Sequence, residues 1–363
     1  MYDLALSLSP DFAMALGNRG QAVAGLVRYS QAHRARIAQE AYWNLWDATR
    51  GADDVLRVGG QMAVDRFFEM LGRFPDPPTE RPPVSPIFSD PYQEWCRSHG
   101  LFLHLSPFCL KEGQRTWDPL YFRSAVTVPP LGETPPSGVP ATFGAFNTLK
   151  NEYTTARFLA WVALADSPLR GVLREVGTHT RYIDTRDEAT YDLATGIARQ
   201  AFQAGNNLLD KIGTLLSLFL GIRGINSFER WWKVSGKRRD YTLHPLVIDA
   251  IRASDDWGPG LWALCDLSAD LEEGGRYFDL QCLRHAATHK FVFQHQGDAG
   301  EPPNFRQPVV RISAAEAERL LIQQLQVARS AMVYTVEVID ARRAQDTATD
   351  QAPLKLSDWQ HPQ

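Results

Sequence analysis

The chain has 363 residues, of which 44% are hydrophobic and 22% charged, and its formal net charge is −4. This composition is typical of a folded protein with one or two domains, and it excludes a wholly disordered chain. Because the net charge is negative, any nucleic-acid site must be a local basic patch, and the four scattered cysteines form neither a CxxC metal motif nor a disulfide framework.

Membrane and secretory segments are not predicted. No run of about 18 consecutive apolar residues occurs, so we expect no membrane span and no membrane partner. The first residues, MYDLALSLSPDF, lack the basic region that begins a secretory signal. The expected location is therefore the cytoplasm.

Helical patterns fill residues 1–74. Small residues recur at helix-packing spacing between Ala13 and Gly20, and helical patterns follow in Ala38–Ala48 and Val55–Gly72. The first 40 or so residues resemble the end of one tetratricopeptide (TPR) repeat and the start of another, although solenoids usually need three repeats. We expect a TPR-like helical segment that docks on the rest of the chain or on further repeats, and that binds a regulatory protein partner.

Residues 75–140 hold 14 of the 23 prolines, which excludes long regular elements. They also contain apolar side chains, such as Trp95, Leu101 and Phe102, that a solvated linker would not carry. We expect a proline-rich irregular region that packs on a helical core.

Helical periodicity returns in residues 141–345, which predicts a helical bundle and an all-α fold. The predicted helices are Asn147–Leu164, Thr190–Leu220, His244–Ala253, Leu261–Asp270, Phe278–Phe293 and a last helix from Ser313 to about Arg343. Val309–Ile312 is the one segment with the pattern of a short strand. The polar residues 346–363 are predicted to form a mobile tail.

The densest polar cluster of the chain, Arg284 to Lys290, lies in the predicted helix Phe278–Phe293. At about 100° per residue, Arg284, His285, Thr288 and His289 fan over one side of that helix. An arginine binds phosphate oxygens through two parallel N–H groups, and a histidine exchanges protons near neutral pH. This combination suits a phosphodiester.

The spacing Arg284-x4-His289 resembles the RxxxxH motif of the HEPN superfamily (higher eukaryotes and prokaryotes nucleotide-binding). Three further segments, Leu101–Leu105, Phe146–Tyr153 and Leu208–Ile212, resemble blocks of large, TPR-associated bacterial HEPN proteins. The resemblance covers roughly residues 85–345. It implies a HEPN-like bundle that acts on RNA as a metal-independent endoribonuclease, without a cofactor. It also implies a homodimer with a composite active site and a toxin-like or antiviral role.

The resemblance also assigns roles to residues. His289 would be the acid or base at the ribose 2′-hydroxyl and the leaving oxygen, and Arg284 would hold the scissile phosphate. His285 stands where the family often has asparagine, so it is either a second acid–base group or a sign of altered activity. Asp210, Thr288 and Lys290 would support these groups. RNA products would then end in 2′,3′-cyclic phosphate.

A second basic feature occupies residues 223–244, where six basic residues oppose two acidic ones and aromatic residues are interleaved. Basic groups follow a phosphate backbone and aromatic rings stack on unpaired bases. We therefore predict an RNA-binding segment, although Trp231 and Trp232 would equally suit a core with solvated cations around it. The predicted contacts are Arg230, Lys233, Lys237, Arg238 and Arg239.

Two alternatives stay open at this point. A degenerate HEPN and TPR module would bind RNA or a protein partner without cleaving it, which the histidine at position 285 would fit. A zinc hydrolase would use His285 and His289, spaced i, i+4 as in HExxH, with His295 nearby. However, Ala286 stands where that motif has its glutamate, so we predict no metal site.

Overall fold

The computed structural model confirms the all-α prediction. It describes residues 5–6, 9–27, 34–74, 78, 81, 88–104, 118–121, 141–165, 167–183, 186, 188–219, 259–297 and 302–346. These residues form ten helices and two short strands. In this part of the chain, no helix combines the length and apolarity that a bilayer crossing requires.

The chain divides into two compact units. The first comprises residues 1–87 with 106–115, and the second comprises residues 88–105 with 116–363. The predicted boundaries after residues 74, 140 and 345 stay a prediction.

Three helices make up the described part of the first unit: α1 (Ala13–Leu26), α2 (Arg34–Arg50) and α3 (Ala52–Gly72). Their core contains Leu45 and Phe67. Gly17 explains why small residues recur in α1, because a Cβ added there would lie 2.2 Å from the Phe67 ring. The predicted helices are therefore present, and their assignment to TPR repeats stays a prediction.

The second unit is a bundle around three long helices. Its helices are α4 (Pro91–Ser98), α5 (Ala141–Leu164), α6 (Leu169–Gly177), α7 (Leu193–Phe219), α8 (Pro259–Leu271), α9 (Phe278–His289) and α10 (Ala314–Asp346). α7 packs against α5 and α10, and α10 also packs against α8. Leu208, Ile212 and Leu216 recur every four residues along α7 and are fully buried, so the predicted apolar periodicity does define the core.

An ion pair is buried within this bundle. Arg157 of α5 donates from both terminal nitrogens to Asp118, at 2.9 and 2.7 Å, and also to the Leu101 carbonyl at 3.0 Å. The Tyr153 hydroxyl donates to the same carbonyl at 2.7 Å. These bonds hold residues 88–104 and 118–121 against α5, and the packing of the whole region 75–140 on the core stays a prediction.

The helix predicted to reach Phe293 ends earlier, at His289, so that part of the prediction was wrong. Lys290 has extended backbone angles (φ −137°, ψ 173°). The strand β1 (Phe291–His295) follows and pairs in parallel with β2 (Val309–Ser313). The aromatic and β-branched residues of β1 suit a strand once a partner strand is available.

The last helix begins as predicted. The Ser313 hydroxyl accepts a hydrogen bond from the Glu316 backbone N–H at 3.2 Å, which caps the N-terminus of α10. The predicted helix His244–Ala253 and residues 347–363 of the predicted tail (346–363) lie outside the described residues, and Asp346 is the last residue of α10.

Candidate active site

The helix α9 separates an apolar face from a polar one. Leu280, Leu283 and Ala286 are buried against the bundle. The motif lies on the other side, where His285 and His289 are exposed and Arg284 is half-buried. The apolar residues at i, i+3 and i+6 therefore fix the rotation of the helix and leave the motif accessible.

A cleft of about 490 Å³ opens over the motif. Arg284, His285 and His289 all line it, and the two imidazole rings lie 4.9 Å apart between centroids, tilted by 52°. Other lining residues are Leu271, Glu272, Phe278, Gln281, Cys282, Thr288 and Phe305. The structure thus brings the three predicted catalytic side chains to one accessible surface.

Asp210 of α7 contacts the motif directly. Its Oδ2 accepts a hydrogen bond from Nη2 of Arg284, and the side chains of these two residues remain 30% and 28% exposed. Lys211 pairs instead with Glu152 of α5, so Asp210 and Lys211 are not partners of each other. The Arg284 guanidinium has five N–H groups, and one of them donates to Asp210. This bond orients one edge of the guanidinium, and the rest of the group can donate to a ligand in the cleft.

The other two predicted supporting residues hold backbone. The Thr288 hydroxyl donates to the Arg284 carbonyl at 2.9 Å, within the same helix. The Lys290 ammonium donates to the Phe305 carbonyl at 2.5 Å, which fastens the segment before β2 to the end of α9. From α7, the Gln203 amide donates to the Ala287 carbonyl at 3.3 Å. These bonds anchor the C-terminal end of α9, where the motif lies.

The five predicted RNA-binding residues, Arg230, Lys233, Lys237, Arg238 and Arg239, lie outside the described residues. His295, which the zinc hypothesis considers beside His285 and His289, is buried at the end of β1. Within the described ranges, no group of three or more His, Cys, Asp or Glu side chains is arranged to hold a metal ion.

The cleft also contains residues that the sequence did not identify. Phe278 and Cys282 lie seven and three positions before His285, on the same face of α9. Helical periodicity could therefore have identified both residues from the sequence. Burial, reinforced by nearby Asp279, raises the pKa of the Cys282 thiol. Phe305 comes from an irregular segment, and its spacing carries no such signal.

The fold is an all-α bundle, and its late helix α9 presents an arginine and a histidine five positions apart in an open cleft. These two features define a helical-bundle protein with an RxxxxH motif. A family model described as LA2681-like HEPN matches residues 134–342, which is more than half of the chain. The chain therefore belongs to the HEPN superfamily. Searches of curated proteins and of solved structures found no match.

Membership gives a general indication of function. The superfamily is generally associated with ribonuclease activity, although many of its members are not catalytic. The family match therefore points to a ribonuclease or nucleotide-related function.

Proposed function

We propose that this protein is a metal-independent endoribonuclease of the HEPN type. The observation that carries the proposal is the convergence of Arg284, His285 and His289 in one accessible cleft. A permanent cation beside two imidazoles that can accept and donate protons supplies the groups that an RNA phosphodiester needs for cleavage by its own 2′-hydroxyl.

The reaction follows from this equipment. His289, in its neutral form, takes the proton of the ribose 2′-hydroxyl, and the 2′-oxygen attacks phosphorus. Arg284 donates hydrogen bonds to the non-bridging oxygens as their negative charge grows. His285, in its protonated form, gives a proton to the leaving 5′-oxygen. The products are a 2′,3′-cyclic phosphate and a 5′-hydroxyl, so atoms and protons balance without a metal ion.

Asp210 is the positioning residue in this scheme. Its bond to Nη2 fixes the orientation of the Arg284 guanidinium, and its own contact is with the arginine and not with the phosphate. A guanidinium held in advance needs no reorganisation when negative charge develops on the phosphate oxygens in the transition state. The Lys290 ammonium, which bonds the Phe305 carbonyl, keeps one wall of the cleft in place.

The test is RNA cleavage in EDTA by the purified chain and by Arg284→Ala and His289→Ala. Arg174→Ala and His179→Ala are the matched controls, because both residues are exposed and do not line the cleft. We expect the control variants to cleave like the wild type and the motif variants to lose cleavage. Cleavage that needs added metal, or that survives both motif substitutions, would contradict the mechanism.

The same experiment decides the alternative function. If RNA binds and stays intact over long incubation with the wild type, the protein is a non-catalytic HEPN module. A binding assay at several salt concentrations then measures the number of phosphate contacts. Arg238→Ala and Arg239→Ala are expected to reduce that salt dependence if residues 223–244 bind RNA.

We further propose a homodimer whose two motifs share one composite site, as the resemblance implies. The measurement is the mass of the protein in solution, for which a dimer gives twice the 40.8 kDa of the chain. A toxin-like or antiviral role is proposed on the same basis. It predicts that expression in bacterial cells slows growth, and that Arg284→Ala abolishes this effect. The regulatory protein partner of residues 1–74 also remains a proposal.

A further inference from the structure

Two phenylalanines line the motif cleft, and the chemical step described above assigns them no role. Resting on the proposed ribonuclease function, we propose that the cleft binds single-stranded RNA with one base stacked on Phe278 and another on Phe305, one on each side of the scissile link. The phosphate between these bases then lies against Arg284, His285 and His289.

Phe278 lies at one end of the cleft. It is the first residue of α9 and lies on the same helical face as His285, seven residues later, and His289, eleven residues later. A rise of 1.5 Å per residue places it about 10 Å along the axis from His285 and about 16 Å from His289. Its ring therefore lies at the level of a neighbouring nucleotide, away from the reacting atoms.

Phe305 lies towards the other end. Its carbonyl accepts the Lys290 ammonium at 2.5 Å, and Lys290 directly follows His289. The segment around it is a compact turn, because the side-chain oxygen of Asn304 accepts the Arg306 N–H at 3.1 Å. Phe305 is thus held near the C-terminal end of α9, opposite in position to Phe278.

Half-buried aromatic rings are suited to stacking. Both phenylalanines are partly exposed to the cleft, so each has a face that solvent reaches. Base–aromatic stacking is largely independent of sequence, and it requires an unpaired base because the faces of a paired base are covered by its neighbours. An endonuclease also needs chain on both sides of the cleaved link. Two rings flanking the motif meet both requirements.

The end near Phe278 favours some bases over others. A tight turn, in which the Gly275 N–H donates to the Glu272 carbonyl at 2.8 Å, comes shortly before Phe278, and Glu272 and Gln281 line the same cleft. A carboxylate repels phosphate but accepts hydrogen bonds from exocyclic amino groups of bases. Adenine, guanine or cytosine, whose amino groups project from the ring, is therefore preferred at this end over uracil, whose donor on the base is the ring N3–H.

The test measures equilibrium binding to the full chain of fluorescent eight-nucleotide strands that are 2′-O-methylated throughout and so lack the attacking hydroxyl. Phe278→Leu and Phe305→Leu keep apolar volume and remove the aromatic face, whereas Phe278→Tyr and Phe305→Tyr keep it. Phe68→Leu, at an exposed phenylalanine of α3, is the matched control. We expect each cleft leucine variant to bind an adenine strand about tenfold more weakly. The tyrosine and Phe68→Leu variants should bind like the wild type.

Further strands separate stacking from general attraction. A strand of the same length without bases should bind the wild type and both cleft leucine variants equally weakly. The wild type should prefer the adenine strand to the uracil strand, and Glu272→Gln should reduce that preference. A duplex of the same strands should bind more weakly than the single strand.

The inference and the function on which it rests fail in different ways. If ordinary RNA is cleaved in EDTA and cleavage requires Arg284 and His289, but the leucine variants bind like the wild type, the ribonuclease stands and the stacking inference is overturned. Equal or tighter binding of duplex overturns it as well. If binding depends on both rings as expected and ordinary RNA stays intact, the stacking is supported and the ribonuclease function fails.

Discussion

Within the described part of the helical bundle, two arginine–aspartate pairs have very different surroundings. Arg157 and Asp118 are joined by two bonds, and their side chains are only 4% and 18% exposed. Three aromatic rings surround the Arg157 guanidinium, with centroids 5.5–5.6 Å from its central carbon. Arg284 and Asp210 are joined through one arginine nitrogen at 28% and 30% exposure, beside two exposed histidines.

Burial decides what each pair can do. The Arg157 guanidinium donates hydrogen bonds to Asp118, Leu101 and Tyr92, so it connects segments of the fold. Burial acts to lower the pKa of Arg157, but the paired Asp118 carboxylate outweighs burial and raises it. The arginine therefore stays charged. The Arg284 guanidinium keeps donors towards an open cleft. The same chemical pair thus stabilises in one place and is available for a ligand in the other.

The largest expected effect on stability is that of Arg157→Ala. Removing one partner of a buried pair leaves an uncompensated charge, so we expect the free energy of unfolding to fall by about 3–5 kcal/mol. Chemical denaturation measures this, with Arg174→Ala as the exposed control. Replacing both members by apolar residues, Arg157→Met with Asp118→Leu, should recover only part of the loss, because the Leu103 N–H then loses its acceptor on Asp118. A single variant as stable as the wild type would show that the pair does not hold the fold.

In contrast to Arg157→Ala, the substitution Arg284→Ala should strongly reduce activity and hardly change stability. RNA cleavage should fall by about 100-fold or more, because a donor to the developing charge is lost. The free energy of unfolding should change by less than about 1 kcal/mol, as for other solvent-accessible pairs. Cleavage rates and denaturation curves from one preparation test both statements. A loss of stability as large as that of Arg157→Ala would show that the Arg284–Asp210 pair stabilises the fold as the buried pair does.

Asp210→Asn should have an intermediate effect. The amide keeps the shape of the carboxylate but not its charge, so the guanidinium is held less firmly and kcat should fall by about tenfold. KM should change little, since Asp210 contacts the arginine and not the substrate. Steady-state kinetics separate the two constants. An unchanged kcat, or a change confined to KM, would remove Asp210 from its positioning role.

The smallest predicted effect is a loss of stability at alkaline pH, which arises from Cys96, a buried residue of α4. Burial raises the pKa of the Cys96 thiol, from an ordinary 9.0, to about 12. The unfolded chain therefore releases this proton first, so the thiol leaves stability unchanged below about pH 9 and lowers it between about pH 9 and 12. The loss is about 1.4 kcal/mol per pH unit.

Cys96→Ala isolates this contribution. We expect the difference in unfolding free energy between wild type and variant to move in favour of the variant by about 1.4 kcal/mol between pH 8 and 10. Urea denaturation at the two pH values measures it. A difference that stays constant would mean that the folded and unfolded thiols titrate alike.

The sequence predicted the parts of this molecule that depend on local pattern. Apolar spacing located the core helices, as Leu208, Ile212 and Leu216 show, and the side-chain chemistry between Arg284 and His289 located the motif. The end of α9 was missed because Phe291–Phe293 is apolar, and periodicity alone does not separate a short strand from a helix. Only the distant pairing with β2 makes that segment a strand.

The contacts that complete the two arginine sites depend on tertiary packing. Asp118 lies 39 residues before Arg157, and Asp210 lies 74 residues before Arg284. No local sequence pattern connects the two residues of a pair that are so far apart in the chain. However, an arginine between Ala156 and Ala160, on the apolar face of a helix, indicates that this arginine has a buried partner. Phe305 likewise enters the cleft through the Lys290 bond, which the sequence does not encode locally.

The most direct test of the ribonuclease account is the chemical identity of the product ends formed in EDTA. With an RNA strand that has one preferred cleavage position, we expect fragments ending in 2′,3′-cyclic phosphate and 5′-hydroxyl. A single 2′-deoxy substitution at that position should abolish cleavage there. Fragments with 5′-phosphate ends, or unchanged cleavage at the deoxy position, would contradict attack by the 2′-hydroxyl of the RNA.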